Sequence, residues 1–249
     1  EETIKVLISR GYRVIAPDQI GFCKSDKPKG YQYSLNQLAV NTNALLRNLG
    51  IEQPIVIGHS MGGMLAARYA IMYPQQLEKL VLVNPIGLED WQAKGVPYAT
   101  VDTLYANELK TSFESIKNYQ LNFYYNDLWK PEYDRWVDMQ AGMYAGKGKE
   151  VVAMSQAQTS DMIFNQPVVY ELGKIKTPTV LIIGGKDRTA PGANRAVKEV
   201  ADALGDYPVL GREAAKAIKG SKLVELPELG HSPQVENPTL FHEKLLELL

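Results

Sequence analysis

The stretch Pro54-Ile-Val-Ile-Gly-His-Ser-Met-Gly-Gly-Met-Leu-Ala-Ala-Arg-Tyr-Ala70 decides the reading of this chain. Ile55, Val56 and Ile57 are β-branched and apolar, which suits a short buried strand. Met64 to Ala70 is rich in helix formers, and Pro74 blocks its continuation beyond Tyr73. Ser60 sits at the join, inside Gly58-His59-Ser60-Met61-Gly62, which fits G-x-S-x-G. Small neighbours, Gly58 and Gly62, are expected to let a sharp strand-to-helix turn close around a serine.

Outward from that turn, strand and helix patterns alternate. Residues 3–9 have helical spacing and stop at Gly11, and Tyr12-Arg-Val-Ile-Ala-Pro-Asp18 reads as a strand. Gln19 to Gly30 is a loop by its glycines, lysines and proline. Ser34 is placed to cap a helix that runs to about Leu49, with Leu35, Leu38, Leu45, Leu46 and Leu49 on its apolar side. Strands are also predicted in Leu77–Pro85, Thr177–Gly185 and Ser221–Gly230, and helices over Asn194–Leu204 and Pro238–Leu249. The excursion from Gly205 to Gly220 carries helix in its middle. Apolar strands joined by helices predict a parallel sheet covered on both faces.

From residue 86 to 170 the alternation stops. This stretch is rich in aromatic residues, among them Trp91, Tyr98, Tyr105, Tyr119, Tyr124, Tyr125, Trp129, Tyr133, Trp136 and Tyr144. It reads as a mainly helical insertion whose rings either pack its own core or line a pocket. The predicted organisation is a core of residues 1–85 and 171–249 with a helical cap insertion, 86–170.

Composition narrows the functional classes. The chain has 249 residues, 45% hydrophobic and 22% charged, with a net charge of −1. No basic tract points to nucleic acid, and no apolar run approaches the ~18 residues of a membrane span. The single cysteine, Cys23, leaves no disulfide framework and no cysteine-only zinc site. It reads as a small half-buried thiol rather than a nucleophile, since no histidine neighbours it.

Three reactive side chains follow predicted strand ends: Ser60, Asp187 and His231. Reactive groups gather at the carboxyl ends of parallel strands. A serine hydroxyl needs a base to become a nucleophile. An imidazole serves as that base, and a carboxylate holds its tautomer and balances its charge. Each residue has a plainer reading. Ser60 could be a helix cap and Asp187 a turn residue, with Glu89 and Asp90 as rival acids after the preceding strand. His59 reads as a support for the serine turn, and His242 as a surface residue of the last helix.

Ser60, Asp187 and His231, in that order, with "GHSMGG", "GGKDRTAPG" and "ELGHSPQVENP" around them and "GYRVIAPDQIGFCKSDKP" before them, resemble the α/β-hydrolase family. The resemblance covers nearly all of the chain outside the aromatic insertion, which corresponds to the family's variable cap. It implies an α/β-hydrolase fold with a mostly parallel sheet and helices on both faces. It further implies a Ser60–His231–Asp187 triad, with the Met61 N–H donating to the oxyanion and no cofactor or metal. Its substrate would be a small, rather apolar ester or related carbonyl compound. Carbon–carbon bond hydrolysis is the alternative chemistry, and a non-catalytic small-molecule binding protein is the alternative from another class. Dehalogenases and epoxide hydrolases are disfavoured, because they carry aspartate where Ser60 stands.

The same resemblance predicts a departure. The family's first strands, including the third, and the loop that supplies a second oxyanion N–H have no counterpart before Ser60. The expectation is a shortened chain, poorly active alone, whose sheet has either a gap between residues 12–18 and the serine strand or an unfamiliar pairing there. Where the family usually has G-x-G-x-S, this chain has Gly21-Phe22-Cys23-Lys24-Ser25. Localisation is not legible from such a sequence.

Overall fold

The computed structural model describes residues 1–249. Four strands form one parallel sheet in the order β1 (Ile55–His59), β2 (Lys79–Val83), β3 (Thr179–Gly184), β4 (Lys222–Leu226). Every spatial neighbour is also a sequence neighbour. Each link between consecutive strands carries helix, as parallel pairing demands.

The two central strands, β2 and β3, are almost wholly apolar because both faces are covered, whereas the edge strand β4 carries exposed Lys222 and Glu225. Leu80 and Leu82 of β2 and Leu181 and Ile183 of β3 belong to the larger core, with α2 (Leu35–Asn48) and α3 (Met61–Met72). Val81 and Val83, with Val180 and Ile182, face the other way, toward Leu7 of α1 (Glu2–Ser9) and Phe241 and Leu245 near the carboxyl terminus. The period of two along each strand thus sorts one apolar run into two cores. Ser34 caps α2, its hydroxyl accepting from Gln37 N at 3.0 Å.

Between β2 and β3 the chain forms no strand. It builds α4 (Val101–Glu108), α5 (Phe113–Phe123), α6 (Asp134–Gly142) and α7 (Lys149–Asn165). The helix expected over residues 194–204 is shorter. A 3-10 turn at Ala193–Arg195 precedes α8 (Lys198–Asp202). Then come α9 (Tyr207–Ala217), α10 (Pro233–Glu236) and α11 (Pro238–Leu246).

Three local expectations are corrected. Residues 12–18 do not form a strand. Arg13 to Pro17 make no backbone hydrogen bond, and β1 pairs only with β2. An extended segment becomes a strand only beside a partner, so this outcome is the gap. His242 is buried, not on the surface, and its ring nitrogen Nε2 lies 2.9 Å from Thr3 Oγ1 of α1. The α1–α11 contact that buries it joins the two ends of the chain, which helical periodicity within α11 could not disclose. Cys23 is exposed rather than half-buried and has a left-handed backbone, φ 40°.

Candidate active site

The serine turn is strained. Ser60 has φ 57° and ψ −125°, outside the regions that a side chain with a Cβ favours. Surrounding bonds enforce it: Ser60 N donates to Val83 O at 3.1 Å, and Ile86 N donates to Ser60 O at 3.2 Å. The Ser60 hydroxyl does not cap α3, so the plain capping role is not what places it there. A Cβ on Gly58 would lie 2.2 Å from Gly62 O, so the turn requires glycine at 58. The sequence suggests the same need at Gly62, but a Cβ there meets nothing within 4 Å. The second steric requirement falls on Gly63, whose Cβ would lie 2.5 Å from Pro85 Cβ. Met61 opens α3, and first-turn amides have no intrahelical acceptor, so its N–H is free to face an anion.

Asp187 and His231 are both fully buried. His231 Nδ1 donates to Asp187 Oδ2 at 2.7 Å. The other carboxylate oxygen accepts from Thr189 N at 2.8 Å. With Nδ1 donating, Nε2 is left as the lone-pair nitrogen. It is buried and has no hydrogen-bond partner. An unpaired buried acceptor costs about 1–3 kcal/mol, a cost commonly retained where the atom has a chemical task. No hydrogen bond joins Ser60 Oγ to His231 in this structure. The fold therefore joins Asp187 to His231 and brings the serine turn beside them, with no bond between hydroxyl and imidazole. Catalytic hydrogen bonds often tighten only with substrate bound.

The rival acids are engaged elsewhere. Glu89 accepts from Gly205 N at 2.9 Å and Trp91 Nε1 at 3.2 Å, and Lys94 Nζ donates to it at 2.8 Å. Asp90 accepts from Tyr170 Oη and Ala93 N. Neither meets His231.

The ring of His59, read from sequence as a support for the serine turn, reaches the loop of His231. Its Nε2–H donates to His231 O at 2.7 Å, and the two rings lie 4.8 Å apart. Burial, and then the neighbouring imidazole, push its pKa down to about 3, so the ring is neutral near pH 7. On the other side, His231 N donates to Tyr124 O at 3.0 Å. The Tyr124 ring lies 4.3 Å from the imidazole, and Tyr207 closes a third side at 6.4 Å. The Glu236 carboxylate accepts from Gly230 N and Ser232 N, clamping the loop around His231, and burial raises its pKa. The aromatic stretch therefore plays two roles. Tyr125, Trp129 and Tyr133 pack on one another, whereas Tyr124 reaches the histidine.

Sequence reasoning missed Asn84, Tyr124 and Glu236. Asn84 carried a faint signal, a polar residue between an apolar strand and Pro85. It is fully buried with φ 39°. Tyr124 was one ring among many, and nothing local marked it. No group of three or more His, Cys, Asp or Glu side chains is placed to hold a metal ion, and no helix is long and apolar enough to cross a membrane.

The strained serine turn at a parallel-sheet edge, with an Asp–His pair beyond the next strands, defines a class. The chain belongs to the α/β-hydrolase family: the family model described as alpha/beta hydrolase fold matches residues 1–238. It is similar to a probable hydrolytic enzyme of Pseudomonas aeruginosa PAO1, at 59% identity and a TM-score of 0.98, over 100% of this chain and 80% of that one. It is 31% identical, over 74% of its length, to a 2-hydroxy-6-oxo-6-phenylhexa-2,4-dienoate hydrolase of Comamonas testosteroni. It is 26% identical, over 91% of its length, to Lipase 1 of Psychrobacter immobilis. The chain spans 64% and 65% of the lengths of these last two proteins.

Proposed function

We propose that this protein is a serine hydrolase that transfers an acyl group from a small, rather apolar substrate to water through a covalent acyl-enzyme. The single observation that carries the reading is the buried Asp187–His231 pair, whose free Nε2 lies in the loop hydrogen-bonded to the residue before Ser60. His231 Nε2 takes the Ser60 proton as Oγ bonds to the substrate carbonyl carbon. The Met61 N–H stabilises the resulting oxyanion. Collapse of the tetrahedral intermediate breaks the bond to the leaving group, which takes the proton from His231. Water then repeats the sequence, with His231 as base, and frees the acid and Ser60. Asp187 stabilises the imidazolium that forms in each half. Residues 86–170 act as the cap over this site, with Tyr124 on its inner side.

A second reading, hydrolysis of a carbon–carbon bond next to a ketone, is favoured by the likeness to the Comamonas testosteroni dienoate hydrolase. Both readings use Ser60, His231 and Asp187. A fluorophosphonate probe, followed by a panel of p-nitrophenyl esters of rising chain length and 2-hydroxy-6-oxodienoates, tests them. Labelling of the wild type that Ser60→Ala abolishes is the expected result, and the preferred substrate separates ester from carbon–carbon hydrolysis. Absence of both labelling and turnover would instead favour a non-catalytic binding protein.

A further inference from the structure

Asn84 has no role in the reaction described above, yet its position calls for one. It is a fully buried polar residue at the end of β2, with a left-handed backbone at φ 39° that costs energy to hold. Its side chain is spent on the acid loop. Asn84 Nδ2 donates to Asp187 Oδ2 at 2.7 Å. That is the same oxygen that accepts His231 Nδ1–H at 2.7 Å. Asn84 Oδ1 accepts from Gly184 N at 3.1 Å, and Asn84 N donates to Ile182 O at 2.9 Å. One side chain thus ties the end of β2 to the end of β3 and to the carboxylate beyond it.

We propose that Asn84 is a positioning residue for Asp187: its amide holds the carboxylate in the rotation that presents Oδ2 to His231, and so fixes the tautomer and aim of the base. This rests on the reading of Asp187 and His231 as the acid–base pair. The chemistry requires an amide, or a group that donates one hydrogen and accepts one, at this place. A carboxylate left with Thr189 N and His231 alone can rotate about its last bond, and the imidazole turns with it. An ångström of such misplacement is enough to cost about 10²-fold in rate.

The isosteric change Asn84→Asp gives the proposal a signature that simple packing would not give. Two carboxyl groups 2.7 Å apart do not both ionise readily, so the pair shares one proton. In that state the protonated new side chain donates to Asp187 as the amide did, and its other oxygen still accepts from Gly184 N. When the shared proton leaves, the donor is lost and the carboxylates repel. The titratable groups close enough to feel the charge of Asp187 are the rings of His231 and His59, the carboxylate of Glu236, and the hydroxyls of Tyr119, Tyr124 and Tyr207. All are unchanged by the substitution, so a new limb in the ratio of variant to wild type belongs to the introduced carboxyl group and its partner Asp187.

The test compares kcat and KM for wild type, Asn84→Ala and Asn84→Asp on the best substrate of the panel. It also records the downfield proton resonance of His231 Nδ1–H, identified by its loss in His231→Ala. Asn84→Ala is expected to lower kcat by about 10-fold to 100-fold with KM nearly unchanged. Asn84→Asp should stay within about threefold of wild type near pH 6 and fall away from it as the pH rises toward about 9. The Nδ1–H resonance should move or broaden in Asn84→Ala, a readout that needs no turnover and so survives failure of the hydrolase reading. A kcat within about twofold of wild type in Asn84→Ala, or an Nδ1–H resonance that does not change, overturns the proposal.

Discussion

The two ends of the proposed catalytic array are built differently. At the acid–base end the carboxylate and the histidine backbone are tied on every side. Asp187 takes three donors, from Asn84, Thr189 and His231. The backbone of His231 is held from both sides, by Tyr124 and His59. At the nucleophile end only the backbone is tied. Ser60 is strained and anchored through its N–H and C=O, while its hydroxyl makes no hydrogen bond. The difference teaches where preorganisation resides in this fold. The sheet and its loops orient His231 in advance, and in the proposed mechanism its bond to Ser60 is left to form with substrate. His231 Nε2, buried and unpaired at the rigid end, is the atom that receives the proton in the proposed mechanism.

The comparison can be broken at its rigid end first. Asp187→Asn keeps the volume but favours the wrong imidazole tautomer, and kcat is expected to drop by about 10⁴-fold in a steady-state assay. Loss of under about tenfold would show that the tie between acid and base is not what orients His231. The nucleophile end is sharpened by Gly58→Ala. Its new Cβ would lie 2.2 Å from Gly62 O, and 2.8 Å from the Ala66 Cβ, so the serine turn must shift. Overpacking of this kind costs about 1–3 kcal/mol, read as a lower midpoint in urea, with loss of fluorophosphonate labelling beyond what unfolding explains. Leu82 of β2 stands in register with Gly58 and is fully buried. Leu82→Ala should cost about 2–5 kcal/mol in stability while leaving labelling of the remaining folded protein intact.

The smallest expected effect concerns His59, which links the two ends. Its pKa is depressed to about 3 in the folded protein, against about 6.5 for an unperturbed imidazole. Between those values the unfolded chain binds a proton that the folded one refuses. Stability contributed by the neutral ring is therefore present above about pH 6.5 and falls as the pH drops toward about 3. His59→Gln removes that proton linkage. A plot of unfolding free energy from pH 7 down to 4 should slope less for the variant than for wild type, and parallel plots would show that the ring is not buried neutral.

Much of this was written locally. Apolar runs of three or four residues mark β1 to β3, and Ser34 marks the start of α2 by the chemistry of its hydroxyl. Residues 12–18 show the limit of such reading. Their composition suits a strand, but a strand is a relation between two segments, and no other segment hydrogen-bonds to the backbone of Arg13–Pro17. His242 shows it again. Only the docking of α1 on α11 buries it.

The sequence alone determined the alternation of strand and helix, the sharp turn at Ser60, and the order serine, aspartate, histidine at the ends of strands. These follow from side-chain shape, backbone preference and residue type over a few positions. Tertiary structure alone decided which carboxylate meets His231, that Glu89 is spent on Gly205, that Tyr124 and His59 hold the histidine, and that Asn84 reaches Asp187 from 103 residues away. The physical reason is that a hydrogen bond specifies two partners at a distance of about 3 Å, and only the packed sheet brings such partners together.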